Sequence, residues 1–494
     1  MNINLQSNIR SFGLKILSLA LPDKKRAFRS TVISLFIILL SSTSLIAQIT
    51  NNEYLPSGIS DYYSNNSDTS NSIMLNQVEK NYWLPAVEIV GLNLGVWATH
   101  RYLTKESWSA ISWNSIKENF KNGFDWDADG YLINQFWHPY HGSNYYNSAR
   151  SNGLSFWESA PYAFTGSLMW EYFMEIEPPS YNDIVNTPVT GIILGEISFR
   201  VSDLIIDESS TGFERVLREF SSTLVDPMKG FNRLIRGDMW KSGFKEKNHD
   251  FNAVISFGAH NVFFSRKINN SRTYASLRTD LNYGNQFDVK NHNKPFDYFS
   301  LRTEINLTAD DNIVGIFASG VIWDNNIKIF NTSKNLLGIY KEVDIHINTI
   351  YKLSATSISS QIVNTIDLSS NVSMQNYLGL SAILMGGTNS HYAIEAGKDY
   401  NIGPGASGKA GFQFFFKEFG DLYANYKRYW IHTLSGAESE EFVGLLNLGI
   451  SYNLFSKASL GLDFLLYERY GEYKYYPDTQ DANSAVRFYI KHSI

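Results

Sequence analysis

The chain has no cysteine among its 494 residues. That excludes a disulfide framework, thiolate chemistry and any cysteine-based metal site, leaving His and carboxylates as the possible metal ligands. It has no basic excess either. Formal net charge is −6; residues 1–47 carry six Lys/Arg against one acid, so the rest of the chain stands at −11. A chain this acidic, with no basic stripe, is a poor nucleic-acid binder. G-x-S-x-G, Walker A, H-E-x-x-H and the Rossmann glycine pattern are all missing, so no cofactor is assigned. What the chain has in quantity is aromatic side chains, 30 Tyr and 32 Phe. Rings in such number suit a membrane interface, where an amphipathic ring sits at headgroup level.

The N-terminus reads as an export signal over residues 1–48. Lys24, Lys25, Arg26 and Arg29 precede the apolar run Thr31–Leu40, and small residues lead to a cleavage point after Ala47. A charged region, a short apolar region and a small-residue region in that order form a secretory signal. Residues 49–79 are rich in Asn and Ser without periodicity and read as a disordered linker. Residues 80–247 read as a helical domain. Its segments centre on 81–103, 107–120, 154–176, 183–206, 212–222 and 227–235. Glu88, Glu158, Glu171, Glu175, Asp183, Glu196 and Arg200 interrupt the apolar runs. Each charge near mid-span would raise the insertion free energy by roughly 2.5–3.5 kcal/mol. The helices are therefore expected to pack against one another and the rest of the chain, in the periplasm or partly in a barrel lumen.

Trp137–Arg200 concentrates the chemistry. His138 and His141 share a face if helical, because residues three apart are neighbours. They could join Glu158 or Glu171 in a His/carboxylate metal site, or one could activate Ser143 or Ser159. A structural helix start explains them as well, and no metal set is assigned. Glu158, Glu171 and Glu175 lie among Phe, Trp and Met, where a carboxylate must be paired or protonated. Paired, they hold helices together; protonated, they suit acid/base work on a lipid headgroup or glycan. His138, His141, Glu158 and Glu171 are the candidate catalytic residues. Asp183, Asn186, Glu175 and Glu196 are the candidate binding residues. Ser180–Asp183 fits an S-x-x-D helix start, and Asp183, Thr187, Gly191 and Gly195 form a stripe that admits a second helix closely. Glu196 and Arg200 have the i, i+4 order of an ion pair. The acidic turn Phe124–Gly130 fails the EF-hand pattern.

From residue 248 to 494 the period becomes two. Leu301, Ile305 and Leu307 alternate with Arg302, Glu304 and Asn306, and Val486, Phe488 and Ile490 with Arg487, Tyr489 and Lys491. Apolar residues on one face and polar ones on the other predict a lipid-facing wall around a polar lumen. The count is about 12 antiparallel strands, with 14 next. Short turns at 309–312, 417–420 and 455–458 are expected at the periplasmic end. Longer loops at 284–295, 433–440 and 470–483 are expected outside.

The motifs H-P-Y-H-G (138–142), F-W-E-S-A (156–160), W-E-Y-x-x-E (170–175), P-P-S-Y-N-D (178–183) and T-P-V-T-G-x-x-x-G-E (187–196) resemble an uncharacterised family, domain of unknown function 3943. The resemblance covers roughly residues 80–205 closely and the barrel loosely. It implies a bacterial envelope location and brings neither an activity nor catalytic residues. The expected fold is thus an α+β membrane protein, an N-terminal helical domain followed by a transmembrane β-barrel in the outer membrane. The expected role is envelope assembly, or transport or binding of a lipid or glycan. The alternative is a membrane-embedded enzyme modifying an envelope lipid or glycan. Expected partners are outer-membrane lipid and the barrel-assembly machinery, with no nucleic acid; a small-molecule ligand is left unassigned.

Overall fold

The computed structural model describes residues 78–494 apart from 128, 244–249, 265–269, 309–311, 330–332 and 393–398. The export signal and nearly all of the linker lie outside these residues. Among those described, the helices are α1 (Leu84–Ala98), α2 (Trp113–Asn122), α3 (His138–Ser151), α4 (Phe156–Phe173), α5 (Tyr181–Ile205), α6 (Gly212–Val225) and α7 (Pro227–Arg236). Twelve strands follow, from β1 (Phe251–Phe263) to β12 (Thr479–Ser493). Each pairs antiparallel with its sequence neighbours, and β1 pairs with β12 to close the barrel.

The period-two pattern assigns the faces as expected. Asp344 meets Lys427 at 3.1 Å, Asp463 meets Arg278 at 3.3 Å and Asp421 meets Lys491 at 2.8 Å. These pairs join strands that are not neighbours, so they cross the lumen. Near the base, the end carrying the start of β1 and the end of β12, the lumen holds a polar cavity of about 760 Å³. Toward the opposite end, the head, Tyr274, Tyr351, Leu353, Ile383, Ile431 and Tyr467 are buried in one cluster. Side chains thus fill the head half as they fill other small barrels.

The helices do not enter the lumen. Ile305, Ile316, Ala318, Val343 and Ile345 have the parity opposite to Glu304, Phe317, Asp344 and His346, so they point outward. They are buried in a cluster with Ile192, Ile193, Ile197 and Val201 of α5. Of the two placements expected, in the periplasm or partly in the lumen, the second is therefore corrected among the described residues. Cross-lumen ion pairs and the aromatic cluster occupy that space, while the outer wall over β4–β7 offers flat β-branched surface to α5. Leu301 and Ile305 face outward as the alternation required, but Ile305 is covered by helix.

Helix α5 has 25 residues, about 37 Å at 1.5 Å per residue. It runs along the wall from Thr190, whose hydroxyl meets that of Thr356 at 2.5 Å, to Arg200, which bonds Asp297 at 3.1 Å near the base. Helix α3 lies against it through the small-residue stripe. A Cβ on Gly142 would fall 2.0 Å from the Thr187 carbonyl oxygen, and one on Gly191 2.5 Å from the Gly142 backbone. Helices α1 and α4 pack on α3, with α4 also touching α5, and α6 and α7 close the base end.

Two connections lie at the end opposite to that expected, relative to the turns near 417–420 and 455–458. The connection 284–298 leaves from the base, together with the tight turns near 417–420 and 455–458. It is long because it docks the helices. Arg200 also donates to the Pro295 carbonyl at 2.8 Å, and Phe296 stacks on Phe156. The turn expected at 309–312 falls mostly outside the described residues; its flanking strand ends, Leu307 and Asn312, lie at the head.

Candidate functional site

Residues 123–127 and 129–130 cross the head end of the bundle. The Asp125 N–H donates to the Pro179 carbonyl and the Tyr181 N–H to the Asp125 carbonyl, both at 2.9 Å. The Asp127 N–H donates to Asn182 Oδ1 at 3.0 Å, and the Asp129 N–H to Asp127 Oδ1 at 2.9 Å. These bonds seat two aspartates over the start of α5. A wide π-type turn, Ile133–Trp137, then runs into α3. Such turns recur at functional sites because they re-aim side chains. Here His138, the first residue of α3, is turned toward the same loop.

Donor atoms of Asp127, Asp129 and His138 lie within 4.8 Å of one another. His138 Nε2 is 3.9 Å from Asp129 Oδ2 and 4.0 Å from Asp183 Oδ1. Both exceed a hydrogen-bond distance. Asp183 is buried; its N–H donates to Ser180 Oγ at 3.2 Å, and its carboxylate accepts from Asn182 at 3.1 Å. Glu171 is buried behind it and accepts from the Ser180 N–H at 2.7 Å. Burial raises the Asp127 carboxyl above its usual range; the neighbouring Asp129 adds to the rise and His138 opposes it. Such a set can bind a cation or share a proton. The rings of Phe124, Trp126 and Tyr181 pack beside it.

The other candidates are distributed as follows. His141 lies one turn below His138, between the rings of Tyr145 and Trp170, with Nε2 buried and lacking a partner. Asn186 donates to the Asn134 carbonyl at 2.6 Å and to Gln135 Oε1 at 3.3 Å, bracing the π-type turn. Glu175 accepts from Trp170 Nε1 at 3.2 Å. Glu158 is at the other end of the bundle. It forms a reciprocal capping box with Ser155 and meets Lys80 at 2.9 Å and Tyr82 at 2.7 Å. The expected approach of Glu158 to His138 is therefore not seen. Helices α3 and α4 are antiparallel, so the first residue of one and the third of the other stand about 20 Å apart, by helical rise over α3. Glu196 is also remote; it binds Arg150 at 2.7 Å, Arg200 at 2.8 Å and Tyr146 at 2.7 Å.

Asp127 and Asp129 are not among the candidates named from the sequence. Their signal was present in the D-x-D of Phe124–Gly130, with His138 shortly after, but no EF-hand accommodates that spacing.

A closed antiparallel barrel of even strand number, apolar outside and polar within, is an outer-membrane-type β-barrel. This one carries a helical bundle on its outer wall. Residues 123–228 match the model of a family described as Domain of unknown function (DUF3943), in line with the motif resemblance. No curated protein matches the chain. Solved structures similar to it include the NanC porin, at 9% identity, covering 48% of this chain and 98% of that one, with a TM-score of 0.27. The outer membrane channel DcaP of Acinetobacter baumannii covers 51% and 99%, at 10% identity and a TM-score of 0.24. The KdgM porin covers 49% and 99%, at 11% and 0.23.

Proposed function

We propose that the protein is an outer-membrane lipid-handling protein. In this reading the bundle lies in the bilayer beside a closed barrel and offers the Asp127–His138–Asp183 site to an envelope-lipid headgroup or its glycan. The carrying observation is that the helices are built inside out. On α4 the exposed residues are Trp157, Pro161, Phe164, Thr165, Leu168 and Phe173, and Thr165 bonds its own helix carbonyl. On α1 they include Trp83 at its cap, Val87, Val90 and Leu94, while Glu88 and Asn93 are buried. On α6 and α7, Phe213, Val216, Phe220, Phe231, Leu234 and Ile235 are exposed, while Arg215, Arg218, Glu219 and Arg233 are inward and ion-paired. Water would favour the reverse; lipid favours this. Among the described residues no helix is long and apolar enough to cross a membrane. The arrangement does not ask any to do so alone, because their polar faces meet each other and the barrel wall.

Two further observations support the reading. The filled head half of the lumen argues against an open pore. The aromatic rings around the site suit headgroup depth, the head being the outer surface if both barrel ends are periplasmic. An enzyme acting on the same lipid would use the same site, with His138 and Glu171 as its acid/base pair. The test is native mass spectrometry of the purified protein in mild detergent. A lipid retained by the wild type and lost from His138→Asn and Asp183→Asn supports the reading. No retained lipid, or equal retention in both variants, overturns it.

A further inference from the structure

We infer that Asp127, Asp129 and His138, with Asp183 beside the imidazole, form a binding site for a divalent transition-metal ion, of the zinc or manganese kind. The inference deepens the site proposed above and rests on that reading only for its biological use.

The first ground is distance. The donor atoms of Asp129 and Asp183 stand 3.9 Å and 4.0 Å from His138 Nε2, and those of Asp127, Asp129 and His138 fall within 4.8 Å of each other. These separations are too long for hydrogen bonds. The two distances to His138 Nε2 reach the range of atoms that share one ion, since ligands each about 2.0–2.2 Å from a metal lie up to roughly 4 Å apart; the wider spread of up to 4.8 Å among Asp127, Asp129 and His138 has to close on binding. The second ground is charge. Asp129, Asp183 and the adjacent Glu171 and Glu175 have no Lys or Arg ion-pair partner among the described residues; His138 is the partner of Asp129 and Asp183. Asp183 and Glu171 are buried, and a buried carboxylate must be protonated or compensated; a cation at the site would supply that compensation. The base of the same bundle shows the contrast, where Glu196 has two arginines.

The third ground is an orphaned oxygen. Asn134 is completely buried, and its Nδ2 bonds the Asp129 carbonyl at 3.4 Å and the Tyr400 hydroxyl. Its Oδ1 has no hydrogen-bond partner, although buried amide oxygens are nearly always satisfied. The amide borders the site through the Asp129 carbonyl, and the inference assigns the bound ion as the partner of this oxygen. The donor set, carboxylates and one imidazole with no thiolate, is of the mixed kind that zinc and manganese accept; calcium and magnesium favour oxygen alone.

The experiment uses the full mature chain purified from membranes in detergent, stripped with EDTA, and then titrated with Zn²⁺ and, separately, Mn²⁺. Heat-modifiable migration on a gel checks the fold of every sample. The expected result is one ion per chain by elemental analysis after gel filtration. Asp129→Asn and His138→Gln should weaken binding at least tenfold, while Glu158→Gln, at the far end of the bundle, should bind as the wild type does. Asp129 is half-exposed, so its variant should fold even if that of His138 does not. No bound ion in the wild type overturns the inference, as does unchanged affinity in folded Asp129→Asn, or equal loss in Glu158→Gln. Lipid retention is read on the same samples. Metal binding without retained lipid keeps this inference and removes the lipid reading; retained lipid without metal does the opposite.

Discussion

The outer wall of the barrel has two halves that differ in what they were built to meet. On the bare half, Phe257, Leu448, Ile450, Tyr452, Leu462, Phe488 and Ile490 project outward and stay exposed. Apart from the Tyr452 hydroxyl they are large, apolar and without hydrogen-bond demands, as lipid requires. On the covered half the outward side chains are smaller and not all apolar. Ser354 donates to Gln135 Oε1 at 2.7 Å, and Thr356 meets Thr190. Tyr400 receives the Asn134 amide, and Gly387 leaves room for Gln135. Each of these polar groups meets a residue of the bundle, so the covered wall is matched to the helices. One barrel thus carries two surface chemistries, one for lipid and one for protein.

The largest effect should follow from forcing the helices apart. Gly191→Leu would drive a side chain into the Gly142 backbone. The cost should exceed the ~1–3 kcal/mol usual for overpacking, because backbone rather than a flexible side chain is in the way. The folded, heat-modifiable band should be lost from the membrane fraction; normal folding would show that the α3–α5 contact is not needed. Next come charges on the two halves. Ile450→Arg, on the bare wall, should cost roughly 2–4 kcal/mol near midplane. Ile305→Arg should cost more, since the charge would be buried against helix with no partner. Urea titration in vesicles would rank them, and equal costs would erase the distinction between the halves. Thr356→Val should cost only about 1 kcal/mol, one hydrogen bond with shape preserved. The same change on the bare wall should be neutral.

The smallest effect concerns pH. His292, in the long base loop, is bonded to Asp324 at 2.7 Å, and that bond raises its pKa above the ordinary value. A raised folded pKa means stabilisation that is complete below the unfolded value, about 6.5, and lost as pH rises through the folded one. Hydrogen exchange of the 284–298 loop should therefore quicken on the alkaline side in the wild type and lose that dependence in His292→Gln.

The barrel was legible in the sequence because the parity of Leu301 to Leu307 or Val486 to Lys491 needs no tertiary knowledge. The Gly191 stripe and the Glu196–Arg200 pair were legible for the same reason: each is set by spacing along one helix. What parity could not reveal was which outward residues another element covers, so Ile305 and Ile450 read alike. Along the sequence the helix charges count against a membrane location; in the structure Glu88, Glu171 and Glu196 all point inward, an inversion that spacing alone does not display. The site was half legible. His138, Glu171 and Asp183 are close together, but Glu158 was grouped with them without regard to the antiparallel turn between α3 and α4. Asp127 and Asp129 reach the site only through a loop whose path depends on Pro179 and Asn182.

The central claim, that the bundle stands in lipid beside the barrel, can be tested directly because the chain has no native cysteine. Single cysteines at Leu94, Phe164 and Ile450 would each carry a fluorescent label in vesicles containing lipids with brominated or nitroxide-bearing acyl chains. The account predicts that Leu94 and Phe164 are quenched by the acyl-chain probes as strongly as Ile450 and are shielded from iodide in water. Quenching by iodide at Leu94 and Phe164, with acyl-chain quenching confined to Ile450, would contradict it.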